Sequence, residues 1–243
     1  MTSVFPLSTP KPARPRCRML FVVATAKELS DKRGQEVLPI RSLCRTRFDG
    51  DIEVNASVCH ANKDGLPSVY NKALDENPGH DIYCFVHDDV EILDNRVLDV
   101  LVQAKEDGID MVGVAGARQF DIPHGGKSRP IGWHNASIPS MRSGFVTHSV
   151  DGRTFSSSYG DSDKQVLTID GLFIALMNRG TTLRFDSQFS FDFYDADISM
   201  QAYANGMRTF VKPIHLIHSS PGAGLLKPSY MESQKKFLSK WFV

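Results

Sequence analysis

The sequence predicts an α/β fold with a mainly parallel central sheet and helices on both faces. Three observations carry this. Short apolar, β-branched runs recur through the first half of the 243-residue chain, stretches with helical spacing separate them, and Gly or Pro punctuates most boundaries. With 41% hydrophobic and 23% charged residues the chain can bury one sizeable core, and residues 19–243 are expected to form a single domain.

Residues 1–18 are rich in Pro and in Lys/Arg and lack the apolar stretch of a signal peptide, so they are expected to be a flexible tail. Met19 to Ala26 reads as the first strand. Between Ser30 and Arg45 the spacing of Val37, Ile40, Leu43 and Cys44 is that of a helix interrupted early by Pro39. Asp51 to Cys59 alternates as a second strand, and Pro67 opens a helix through Val69, Tyr70, Ala73 and Leu74, stopped by Asn77-Pro78-Gly79. A buried strand from Asp81 to Val86, a helix from Asn95 to Glu106 ended by Gly108, and a strand from Met111 to Ala115 closed by Gly116 complete the alternation.

Residues 118–164 break the pattern. They are rich in Gly, Ser, His and Arg and lack sustained periodicity apart from a weak strand near Gly144 to Val150, as in a binding loop or irregular insertion. Val166 to Met177 is a further apolar strand carrying Asp170-Gly171 at its centre. Phe189 to Tyr194 then leads into Asp195-Ala196-Asp197, a helix from Ile198 to Ala204, and a strand from Thr209 to Val211 that precedes Ile214 to His218. Residues 229–243 form a basic amphipathic helix. Its Lys235, Lys236 and Lys240 beside Phe237, Trp241 and Phe242 suit either a membrane surface or packing on the domain itself.

Twenty-eight basic residues balance twenty-eight acidic ones, which excludes a broad electrostatic case for nucleic acid. Cys17, Cys44, Cys59 and Cys84 show no Cys-x-x-Cys spacing and read as reduced thiols of a cytoplasmic protein. No apolar stretch approaches the roughly 20 residues of a membrane span, so any membrane contact is expected to be peripheral.

The chemistry concentrates at element ends. The strand exit at Val86 delivers His87, Asp88 and Asp89 to a sheet edge, where open α/β sheets bind ligands. Adjacent carboxylates beside the core are costly unless a metal, a cation or water compensates them. Taken singly each site has a plain structural explanation: turn chemistry and a helix cap near Asp88 and Asp89, a bulge at Asp170, first-turn acids at Asp195 and Asp197, a satisfied core histidine at His218. Together they point to a metal and phosphate site.

The motifs Tyr70-Asn71-Lys72-Ala73-Leu74, Phe85 to Val90, Ile169-Asp170-Gly171, Phe193 to Ile198 and His218-Ser219-Ser220, in this order, resemble those of GT-A fold glycosyltransferases. More narrowly, the chain is similar to a bacterial glycosyltransferase-like group related to the inverting family 2 enzymes. The resemblance implies transfer of a sugar from a nucleotide-diphosphate sugar, with a UDP-sugar favoured, to a saccharide or glycoconjugate acceptor, with Mn²⁺ or Mg²⁺ as cofactor. It implies Asp89 as the main metal ligand, Asp88 on metal or ribose, and His218 completing the shell. Asp195 would be the general base, with Asp197 as rival. Ala24, Thr25, Ala26, His60, Asn62 and Asn71, with Asp170 and Gly171, would contact the donor.

The chain departs from that pattern in three places. Tyr194-Asp195 replaces the wider family's Glu-Asp pair, Asp192 stands where a histidine is expected, and Cys59-His60-Ala61-Asn62 lacks the acid that would read the base, so that either Asp64 substitutes for it or base recognition is looser. Residues 118–164 would form the acceptor side, with Lys127 and Arg129 holding diphosphate or an acidic acceptor. Trp133 would either stack on a sugar or anchor the loop. Two other classes compete: a sugar nucleotidyltransferase, which needs a Gly-rich basic loop where this chain has Ala24-Thr25-Ala26-Lys27-Glu28, and a non-catalytic binding module of the same fold.

Overall fold

The computed structural model describes residues 2–7, 15–29, 36–46, 51–122, 131–135, 137–180, 183–220 and 227–242. β1 (Thr2–Pro6) is an edge strand, and β2 (Cys17–Ala24) is buried at every position except Arg18. α1 (Leu38–Leu43) carries Pro39 in its first turn, where a missing N–H costs nothing, and buries Ile40 and Leu43. β3 (Ile52–Cys59), α2 (Leu66–Glu76) and β4 (Ile82–His87) follow. β2 lies between β3 and β4 and parallel to both, and Ala24 registers with Cys59 on one side and His87 on the other. Three strand ends therefore fall in one row, and the near-continuous apolar strands behind them are covered on both faces.

Next come β5 (Val90–Ile92), α3 (Val97–Glu106), β6 (Met111–Gly113) and β7 (Ala115–Ala117). A hairpin of β8 (Arg142–Val150) and β9 (Arg153–Gly160) leads to β10 (Lys164–Gln165), β11 (Thr168–Ile169) and β12 (Phe173–Met177). α4 (Tyr194–Ala204), β13 (Thr209–Val211), β14 (Leu216–His218) and α5 (Pro228–Trp241) complete the chain. Among the described residues the larger sheet has the order β1-β3-β2-β4-β12-β6-β13-β10, and the smaller one β11-β7-β8-β14-β5 with β9 beside β8. One apolar cluster draws on both sheets, from Phe21 and Phe85 to Trp133, Phe173, Phe189 and Phe237.

Four features differ from the sequence expectation. The larger sheet is mixed: β12 runs antiparallel to both β4 and β6, and periodicity alone carries no strand direction. The expected strand from Val166 to Met177 is two strands in different sheets, broken at Asp170-Gly171. Within the expected flexible tail, Thr2–Pro6 pairs antiparallel with β3 and Cys17 already belongs to β2. The supposedly irregular 118–164 region contains the β8/β9 hairpin, hidden because β9 is Ser-rich and largely exposed. Gly144 sits at a bulge in β8 with φ +104°, where a Cβ would lie 2.2 Å from the Val114 carbonyl, so the switch from one sheet to the other needs glycine there.

Candidate active site

The row of strand ends carries two zipped loops. Thr25 N–H donates to Cys59 O (2.8 Å) and Asn62 N–H to Thr25 O (2.9 Å), joining the Ala24-Thr25-Ala26 turn to the Cys59–Asn62 turn. The Asn62 side chain closes a further turn on Asp64, accepting from Asp64 N–H (3.1 Å) and donating to Asp64 O (2.9 Å). A cavity of about 330 Å³ opens beside them, lined by Cys59, Ala61, Asn62, Asp64, Ser68 and Lys72. That volume lies in the range of small-ligand sites. His60 is half-buried next to Cys59, and Ala26 is exposed.

Asp88 faces this side. Its Oδ2 accepts from Thr25 Oγ1 at 2.6 Å, and it is absent from the cluster of groups placed to hold a metal. Asn71 acts elsewhere. Its amide donates to Phe185 O (2.8 Å) and accepts from Phe185 N–H (2.9 Å), so both ends of the side chain clamp α2 to that segment. Both ends of the side chain are thus engaged with the backbone.

His87, Asp89 and His218 each offer a ligand atom, all within 4.8 Å of one another. β14 brings His218 there, because His218 registers with Val90 of β5 and Ser219 N–H donates to Asp89 O (2.8 Å). His218 Nε2 lies 3.4 Å from Asp89 Oδ2. Burial raises the Asp89 carboxyl, but the hydrogen bond and charge of His218, with His87, outweigh it and hold Asp89 below its ordinary range. Burial lowers His218, yet its bond to Asp89 leaves it above its ordinary value, whereas burial prevails at His87 and keeps that ring neutral to lower pH. Asp89 Oδ1 and His218 Nδ1 are buried atoms with no hydrogen-bond partner among the described residues. A buried carboxylate and two imidazoles gathered this closely, with one oxygen and one nitrogen unpartnered, suit a divalent cation that accepts carboxylate and imidazole.

Asp195 stands in the first turn of α4, entered through Phe193 in the left-handed conformation (φ 70°). Its Oδ2 accepts from Gly171 N–H (2.9 Å) and its Oδ1 from Ala196 N–H (2.8 Å). Burial, and then the charge of Asp170, push its pKa up to about 7 against those two hydrogen bonds. Asp170 in turn accepts from Leu172 N–H (3.0 Å) and Trp133 Nε1–H (3.3 Å). The turn at Asp170 to Leu172 serves both groups, since His87 N–H donates to Leu172 O (3.1 Å).

Asp197, the rival base, has 0% exposure; it accepts from Gln201 (2.8 Å) and Trp241 Nε1–H (2.8 Å) and pairs with Lys240 (2.7 Å). It fastens α5 to α4 and is closed to an acceptor. Trp133 is 6% exposed, edge-on to Tyr159, so it anchors its loop and holds Asp170 instead of stacking on a sugar. α5 buries Tyr230, Phe237 and Leu238, so this part of its apolar face packs within the protein, while Trp241 and Phe242 are half-buried. Lys127 and Arg129 lie outside the described residues. Sequence reasoning does not single out His87 as a ligand; its position two residues before Asp89 at a strand exit is the available signal.

Residues 45–241 match the sequence pattern described as "Glycosyltransferase like family". The chain belongs to this family. No curated protein matches it. Among solved structures the glycosyltransferase-like chain is similar to the mannosyltransferase PcManGT from Pyrobaculum calidifontis in complex with GDP-Man and Mn²⁺, at 12% identity and a TM-score of 0.51. It is also similar to S. aureus TarS, at 13% identity and a TM-score of 0.50. The matches cover 89% and 84% of this chain, but only 61% and 37% of those two. The likeness establishes the fold, the GT-A type of nucleotide-sugar transferases.

Proposed function

We propose that this glycosyltransferase-like chain moves a sugar from a nucleotide-diphosphate sugar to an acceptor hydroxyl, by inversion, with Asp195 as general base and a divalent cation at His87, Asp89 and His218. The observation that carries it is the Asp170–Leu172 turn, which binds the cation cluster through Leu172 and the carboxylate with a pKa near 7 through Gly171. Acid and base chemistry at neutral pH needs such a carboxylate, since a base whose pKa matches the working pH transfers protons best.

The Thr25–Asp88 pair and the cavity beside Asn62 and Asp64 would receive the nucleoside, with Asp88 facing a ribose hydroxyl. Mn²⁺ or Mg²⁺, when bound, supplies Lewis-acid stabilisation of the charge that gathers on the leaving diphosphate. Asp195 takes the proton of the acceptor hydroxyl as that oxygen attacks the anomeric carbon, whose transition state is oxocarbenium-like. The Gly171 and Ala196 N–H groups hold the Asp195 carboxylate in place for this transfer, and the charge of Asp170 raises its basicity. The acceptor is read as a saccharide or glycoconjugate. No described helix is long and apolar enough to cross a membrane.

A panel of UDP-, GDP- and dTDP-sugars with Mn²⁺ tests the proposal, with a UDP-sugar first. Asp89→Ala is expected to lose metal-dependent nucleotide binding, whereas Asp195→Asn keeps binding and loses transfer. Unchanged turnover in both variants refutes the assignment; metal-independent binding without turnover on any acceptor marks a binding module instead.

A further inference from the structure

The proposed reaction leaves Tyr194, the residue that replaces the family's glutamate, without a role. Tyr194 is 2% exposed, and its hydroxyl lies 2.8 Å from the Gly171 carbonyl and 2.7 Å from His87 Nε2. A tyrosine hydroxyl has a single proton, and a carbonyl oxygen can only accept. The proton therefore goes to Gly171, and the hydroxyl oxygen accepts from Nε2–H of His87. An imidazole that is neutral and protonated on Nε2 has its lone pair on Nδ1.

Two further features hold this arrangement. A Cβ at position 171 would lie 2.3 Å from the Tyr194 hydroxyl and 2.7 Å from its Cζ, so only glycine lets the ring reach that carbonyl. The Tyr194 ring is fixed edge-on against Tyr70, with centroids 5.9 Å apart. Metal-binding histidines are commonly set in one tautomer by a partner on the other ring nitrogen.

We propose that Tyr194 is a positioning residue: it holds His87 as the Nε2–H tautomer and so leaves Nδ1 as the ring's lone-pair nitrogen, the one able to donate to a divalent cation at the cluster with Asp89 and His218. This rests on the cation site of the proposed function. Tyr194 also opens α4, one residue before Asp195, so one helix start carries both the partner of His87 and the proposed general base.

Long-range ¹⁵N–¹H NMR of the His87 ring in the metal-free protein reads the tautomer without any activity. The wild type should show Nε2–H, and Tyr194→Phe should shift the population toward Nδ1–H. Electron paramagnetic resonance titration with Mn²⁺ alone should show binding weakened about 10- to 100-fold in Tyr194→Phe, the effect expected when a metal ligand loses its hydrogen-bond partner. An Nδ1–H ring in the wild type overturns the proposal, and needs no variant to fold. Strong loss of Mn²⁺ in Asp89→Ala with none in Tyr194→Phe overturns it while leaving the cation site standing. Unchanged Mn²⁺ affinity in Asp89→Ala removes the cation site and this inference with it.

Discussion

Asp195→Asn should make the protein more stable at the same time as it stops transfer. The Asp195 carboxyl is raised from 3.8 to about 7 in the fold, so its neutral form is the one the native state favours. For a raised carboxyl the stabilisation is complete below the unfolded value and is lost as pH rises through the folded one; by pH 8 the wild type therefore holds an ionised group in a site that opposes it. At about 1.4 kcal/mol per pH unit the penalty is ~4 kcal/mol at most, and coupling to Asp170 reduces the part removed by one substitution to ~2–3 kcal/mol. Asparagine has one carbonyl oxygen for the two N–H donors of Gly171 and Ala196, which costs about 1 kcal/mol. Urea unfolding should then find Asp195→Asn more stable than wild type by about 1–2 kcal/mol at pH 8, with the gap closed or reversed at pH 4. Transfer should fall by about 10²–10⁴. A variant less stable than wild type at pH 8, or a gap that does not change with pH, refutes the account of this carboxylate.

The other perturbations separate working residues from supporting ones. Asp197→Ala removes the partner of Lys240 and Trp241 and should cost about 2–3 kcal/mol of stability, with kcat per folded molecule unchanged; a loss of kcat at full stability would return Asp197 to the chemistry. Asn71→Ala should lower the denaturation midpoint through its two bonds to Phe185, about 1–3 kcal/mol, and leave nucleotide Kd unchanged by calorimetry. Gly171→Ala pushes on the Tyr194 hydroxyl and should weaken Mn²⁺ as Tyr194→Phe does, which the same titration reads.

What was legible in the sequence followed what burial writes into it. β2 and β4 are continuous apolar runs because both faces are covered, and the exit of the second run places His87 at a sheet edge from the sequence alone. β9 was illegible for the opposite reason: most of its side chains face solvent and impose no pattern. Asp195 and Asp197 differ by two positions on a helix, hence by roughly 200° of rotation, which turns one to the Gly171 turn and the other to Lys240. Their sequence alone could not say which is which. Asn71 and Asp88 are polar residues beside a binding edge, and only hydrogen-bond partners told the backbone clamp from the group facing the cavity side. The cation cluster needed the β14–β5 register, a contact between residues far apart in the chain.

The pH dependence of kcat/KM for transfer tests the central claim most directly. With Asp195 as the base, activity should rise with pH through about 7 and level off above it. In Asp195→Asn that limb should vanish together with the bulk of the rate, while Mn²⁺-dependent nucleotide binding persists. Full transfer by Asp195→Asn, with the wild-type pH profile intact, would contradict it.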